Sequence, residues 1–228
     1  MKSLSHVASI LAVLLTVVPL AGAEEATGLP IEHCLPLHQA GSWDLSAGAA
    51  AGAQCSETSG AVWLSGSRDA GAAPVVAPHI NHAQAQVHFQ ASETLSQPVE
   101  GPRTYTVILR LDEAWLSDQT PPSAMDFDGI QFSIGVSLPG CGCGNYHQQA
   151  IVGIGPVPPS PLAPVTGEDS RFSRANETLT LSVTMEPHGE ALPQGRVEIN
   201  VIIAGYSKYS PGPARFSLIG RVMSITAS

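Results

Sequence analysis

Positive charge is the scarcest feature of this chain. Across 228 residues the only lysines are Lys2 and Lys208, and the formal net charge is −9. Grip on a nucleic-acid backbone needs clustered Lys and Arg to release its counterions. No such cluster occurs, which argues against DNA, RNA and anionic membrane surfaces as partners. Only 13% of the residues are charged and 5% aromatic, so groups for acid–base chemistry or for stacking must come from few positions.

The common catalytic signatures are missing too. There is no H-E-x-x-H, no P-loop and no G-x-G-x-x-G. "GVSLPG", residues 135–140, misses the G-x-S-x-G elbow by one position and runs into cysteines and turn residues where that motif needs a helix. No segment holds a helical period, and "LDEAWLSD", residues 111–118, could make one turn at most. No fixed-period repeat is present, which excludes propellers and β-helices. After residue 23 no apolar run is long enough to cross a membrane.

What is there begins with an exported chain's leader. Lys2 and His6 precede an apolar run from Val7 to Leu20, and "AGA" stands before Glu24 and Glu25. That layout predicts a signal peptide over residues 1–23, cleaved after Ala23, and a secreted or periplasmic location. The remaining residues 24–228 suit one domain with a real core. Their four cysteines, Cys34, Cys55, Cys141 and Cys143, predict two disulfides in an oxidising compartment. Cys34 with Cys55 is the first expectation. Cys141 and Cys143 would then bond across Gly142, the alternative being that each pairs with Cys34 or Cys55.

Residues 24–60 read as an irregular N-terminal segment, rich in Ala and Gly ("LSAGAAAGAQ"). Beyond them the signal is period two. In "AQAQVHFQA", residues 83–91, Ala83, Ala85, Val87, Phe89 and Ala91 lie on one face and Gln84, Gln86, His88 and Gln90 on the other. "TYTVILRL", "GIQFSIGV", "TLTLSVTM" and "RVEINVIIA" repeat the device, and "AVWLS", "QQAIVGI" and "RFSLIGRVMSI" do so more weakly, with Gly220 marking a bulge where the last changes face. Pro/Gly-rich turns divide them. The expected fold is all-β: a single antiparallel β-sandwich, jelly-roll or immunoglobulin-like, of seven to eight strands and stapled by disulfide.

Several residue groups could carry chemistry. "CGCGNYH" offers Cys141, Cys143 and His147 as soft and borderline ligands for copper or zinc, although a structural zinc wants a fourth. His82 and His88 would stand about 20 Å apart along a strand, too far to share an ion. Asp126 and Asp128 could serve calcium, but Asp128-Gly129 also reads as a turn. Asp112, Glu113, Glu168, Asp169 and Glu198 are carboxylates from which a glycosidase pair could be drawn. Asn176-Glu177-Thr178 is a glycosylation sequon in a eukaryotic host.

The polar strand positions are rich in neutral hydrogen-bonding groups: Gln84, Gln86, His88, Thr104, Thr106, Gln131, Ser133, Thr180, Ser182 and Asn200. Beside an aromatic platform, from Trp63 or Trp115, such groups suit a neutral sugar. Gln84, Gln86, His88 and Gln131 are the candidate ligand-binding residues. The expected function is an exported, non-catalytic binding or interaction domain for a glycan or a cell-surface protein. The alternatives are a copper- or zinc-binding protein using Cys141, Cys143 and His147, and a sugar-directed hydrolase or lyase.

Overall fold

Alternation at residues 83–91 does what a period of two requires: Ala83, Ala85, Val87, Phe89 and Ala91 are all buried, and the residues between them are half-exposed. The computed structural model describes residues 27–41, 49–68, 82–118, 127–139, 146–154, 171–187, 189, 191–208 and 213–228. The expected signal segment, Cys141, Cys143, Asp126, Glu168 and Asp169 lie outside them. The described residues form β1 (Thr27–Gly28), β2 (His33–Gly41), β3 (Ala49–Cys55), β4 (Ala61–Arg68), β5 (His82–Leu95), β6 (Val99–Glu100) and β7 (Arg103–Asp118). They continue with β8 (Phe127–Ser137), β9 (Tyr146–Ile154), β10 (Arg171–Met185), β11 (Ala191–Leu192), β12 (Gly195–Lys208) and β13 (Ala214–Ala227).

Two large antiparallel sheets result, and β6 pairs with β11 in a third of two short strands. The first has the order β10-β7-β13-β4-β3, with β1 also on β13; the second has the order β2-β5-β12-β8-β9. Without β2 and β3, the paired orders β4-β13-β7-β10 and β5-β12-β8-β9 are those of a jelly roll, in which the chain passes from sheet to sheet at most connections. β2 and β3 each lengthen one sheet on the same side.

That addition corrects the reading of residues 24–60 as irregular. Their small side chains give no apolar alternation, yet β2 pairs with β5 from His33 to Gly41 and β3 with β4 from Ala49 to Cys55. Pairing to a neighbour, and not side-chain pattern, makes these strands. Pro36 is tolerated because β2 is an edge. A Cys34–Cys55 disulfide with a Cα separation of 6.2 Å joins the two added strands across the side of the sandwich. The first-expected pairing is therefore the one formed, and neither cysteine is left to bond Cys141 or Cys143.

Three local readings also change. "LDEAWLSD" is the second half of β7 and makes no helical turn. Asp112 is an extra residue there: Leu111 pairs with Gly220 and Glu113 with Ile219, so the inward set shifts from odd positions to Ala114 and Leu116. Gly220 is where β13 meets this bulge, and a Cβ on it would lie 2.5 Å from the Arg110 carbonyl oxygen. β13 itself changes face three residues later, at Met223, between buried Val222 and buried Ile225. Asp128-Gly129, expected as a turn, lies inside β8, paired with β12 and β9.

The core fills the space between the sheets. Leu64, Val107, Leu109, Leu116, Leu181 and Phe216 from the first sheet meet Val87, Phe89, Ile130, Phe132, Ile134 and Val201 from the second. At one end the layers are tied by charge. Glu93 of β5 accepts from Arg103 Nε at 3.2 Å and Nη2 at 2.5 Å, and from the Tyr105 hydroxyl at 2.8 Å. Burial, followed by the hydrogen bond and charge of Glu93, pushes the Tyr105 phenol well above its ordinary value.

Candidate functional site

Polar residues that the sequence groups together fall on two opposite outer faces. Gln84, Gln86 and His88 on β5 and Gln131 on β8 share the outer face of the second sheet, with β12 between them. In register, Ala204 separates Gln86 from Gln131, Ile202 separates His88 from Ser133, and Tyr206 lies beside Gln84. Thr104, Thr106, Thr180 and Ser182 belong to β7 and β10 on the first sheet. Their hydroxyls are partly spent on one another, with Thr104 to Thr184 at 3.0 Å and Thr106 to Ser182 at 2.9 Å.

The four candidate ligand-binding residues are thus brought to one face, but not to Trp63 or Trp115, the aromatic platforms expected beside them. Their face carries Leu35 and Leu37 at its rim, 54% and 38% exposed. Gln131 and Tyr206 are each already engaged. His88 Nε2 is buried with no hydrogen-bond partner among the described residues, and burial lowers the imidazole pKa below its usual range.

Both described tryptophans stand on the other side. Trp63 of β4 pairs with Ile219 of β13, and Trp115 of β7 pairs with Ser217 two residues along, so all four project from the outer face of the first sheet. Two strand spacings sideways and one residue pair lengthwise put the tryptophan backbones about 12 Å apart. Between them is an open groove of about 450 Å³, lined by Ala50, Gly52, Ser65, Ser67 and Ser217 besides the two indoles and Arg215. Small residues make the floor, so the indoles stand clear of it.

Gly52 has a particular part in this. A Cβ built on it would lie 3.0 Å from Cζ3 and 3.1 Å from Cη2 of Trp63, so the indole rests closely over β3 at a position where a side chain would push it outward. Trp63 is nonetheless 37% exposed. A ring supported from beneath and open above is what stacking on a flat ligand requires.

A second cleft, of about 390 Å³, lies between the segment Leu29–Ile31, the turn Glu57–Gly60 and the end of β13. Its polar groups are occupied with the turn. Ser56 Oγ accepts from Ser59 N, Ser59 Oγ from Ala61 N, and Glu57 Oε1 from Cys34 N. Gly60, at φ 64°, lets the turn close on β13, and its carbonyl accepts from Val222 N at 2.9 Å.

Among the described residues no three of His, Cys, Asp and Glu gather as metal ligands. Of the expected ligands Cys141, Cys143 and His147, only the backbone of His147 is described, on β9 opposite Gly135. Asp112, one of the candidate carboxylates, is engaged by Arg110 at 2.9 Å and Arg221 at 3.7 Å. Glu198, another, stands beside Ser92 and Ser137 on the second sheet. Arg215, Gly52, Ser65 and Ser217 were not singled out by sequence. Period two in "AVWLSGSR" and "ARFSLI" does put Trp63, Ser65 and Ser67, and Arg215, Ser217 and Ile219, on outward positions. Nothing in either segment says that they share a sheet.

No protein-family profile matches the chain, and no curated protein matches it in sequence. Among solved structures it is similar to TmCBM61 in complex with beta-1,4-galactotriose, at 9% identity over 82% of this chain and 88% of that one, with a TM-score of 0.26. It is also similar to the Stig cyclase Fisc from Fischerella sp. TAU, at 13% identity over 73% and 75% of the two chains, with a TM-score of 0.25. Similarity at this level says nothing about what this chain binds.

Proposed function

We propose that this chain is an exported, non-catalytic binding domain whose ligand is a glycan, held on the outer face of the first sheet. The observation that carries this is the pairing of Trp63 and Trp115 on one face, flanking an open groove floored by glycine, alanine and serine. Indole faces stack on the C–H faces of sugar rings; hydroxyls beside them exchange hydrogen bonds with sugar hydroxyls, and a guanidinium donates to them. The separation of about 12 Å between the two tryptophan backbones suits an oligosaccharide better than a single sugar. The described lining offers stacking and hydrogen bonding and includes no Asp, Glu or His. A disulfide across the sandwich is consistent with an oxidising, extracytoplasmic setting.

The test is a glycan array followed by calorimetric titration of the best ligand. Trp63→Ala and Trp115→Ala should each weaken binding by about tenfold or more, with circular dichroism unchanged, because each removes a stacking surface that the core does not use. Retention of full affinity by the double variant, or an array without any ligand, would refute the proposal.

A further inference from the structure

The groove's lining holds one charged group, and no counterion to it stands among the described residues. Five arginine side chains are described. Arg103 pairs with Glu93, Arg110 and Arg221 with Asp112, and Arg196 with Glu32. Arg215, exposed at the groove, has no ion-pair partner among the described residues. In a chain of net charge −9, with nearly twice as many acids as Lys and Arg, a guanidinium without a described acid beside two tryptophans departs from the pattern of the other four described arginines.

Its register neighbours carry hydroxyls. In register, Arg215 lies between Ser67 of β4 and Ser117 of β7, and Arg171 of β10 is the next position in the same row. The rows beyond run Gly52, Ser65, Ser217, Trp115 and then Gln54, Trp63, Ile219, Glu113. Cation and hydroxyls therefore stand at one end of the tryptophan pair and the acid Glu113 at the other, so a ligand with a single anionic end would be seated one way round. A planar guanidinium matches a carboxylate with two parallel N–H···O bonds, which a sugar hydroxyl cannot accept.

Resting on the glycan reading above, we infer that the Trp63/Trp115 groove takes an acidic oligosaccharide and that Arg215 selects it by pairing with a uronic-acid carboxylate. Trp63 and Trp115 supply contact common to acidic and neutral sugars; Arg215 supplies the difference. At 0.15 M salt an ion pair is screened beyond about 8 Å, so the chain's overall acidity does not cancel a contact made at this short range.

The experiment uses the intact domain and oligomers of galacturonate, glucuronate and mannuronate, each beside its carboxyl-reduced neutral counterpart and one sulfated galactan, measured by calorimetry. At least one uronate should bind ten times or more tighter than its reduced form. Arg215→Gln should remove that preference, lowering affinity for the uronate by about tenfold more than affinity for the reduced form, and Arg215→Lys should restore it in part. Equal binding of acidic and reduced forms, or an Arg215→Gln variant that keeps the preference, overturns the inference and leaves the glycan reading standing. Preference for the sulfated chain over every uronate overturns the carboxylate assignment. Absence of binding to any member, or binding unaffected by Trp63→Ala with Trp115→Ala, overturns both, as does capture of an acidic peptide in their place.

Discussion

Gly66 of β4 and Gly205 of β12 sit on either side of the same ring, that of Phe216. A Cβ on Gly66 would lie 2.1 Å from Phe216 Cε1, and one on Gly205 would lie 2.3 Å from Cε2, so a side chain of the first sheet reaches the backbone of the second. The fully buried ring fills a place that two absent side chains leave open. Gly205→Ala should therefore overpack the core and cost about 1 to 3 kcal/mol. Gly28→Ala, which meets nothing within 4 Å, is the control and should stay within about 0.5 kcal/mol. Urea denaturation of both variants checks this.

Glu93 joins the sheets through Arg103 and Tyr105 in a nearly water-free setting. Glu93→Ala leaves the Arg103 charge without its described acid and should cost about 3 to 5 kcal/mol. A loss below 1 kcal/mol in chemical denaturation would show that water relaxes around the arginine freely.

Tyr105 gives the alkaline limit. Its folded pKa is raised, so the fold favours the protonated phenol. Stability from this source is complete below the unfolded value near 10 and falls as pH rises past it, by up to about 1.4 kcal/mol per unit. Tyr206, raised by burial, acts in the same direction. Tyr105→Phe should be less stable than the parent at pH 8, having lost the hydrogen bond to Glu93, and the gap should narrow by pH 11.

His88 gives an acid limit. Its folded pKa is lowered by burial, and its register neighbours Leu35 and Ile202 are apolar while Gln86 and Gln90 flank it uncharged. Its contribution is present above the unfolded value near 6.5 and is lost as pH falls below it. His88→Gln should flatten the decline in stability between pH 7.5 and 5; an unchanged slope would assign the decline to other groups.

Gly52→Ala tests the support beneath Trp63. A methyl 3.0 Å from the indole must lift it, so ligand affinity should fall severalfold while thermal unfolding moves little, because β3 is an edge strand. Removing the staple has the reverse signature. Cys34→Ser with Cys55→Ser should cost about 3 kcal/mol by opening the 21-residue loop, with little change in affinity of the folded protein.

Strands with alternating β-branched and aromatic residues were legible: Val87, Phe89, Ile130, Phe132, Ile199 and Val201 all point inward as period two requires. Strands without that alternation were not. Ala49–Cys55 has nothing but small residues to bury, and its order comes from β4 and the disulfide. Asp112 hid a bulge inside what resembled a turn of helix, because a bulge is defined by the partner strand and not by its own residues.

By itself the amino-acid order determined that this is an antiparallel sandwich, which side chains of each strand face inward, and that Cys34 and Cys55 could be joined. Those properties are local: a period of two is written along one strand, and cysteines announce themselves. Sheet membership is not local. Only the tertiary structure sent β5 and β8 to one layer and β4, β7 and β13 to the other, setting Trp63, Trp115 and Arg215 around one groove and Gln84, Gln86, His88 and Gln131 on the far face. The physical reason is that an outward residue bears no mark of its neighbours, since what it lies beside is decided by hydrogen bonds between strands distant in the chain.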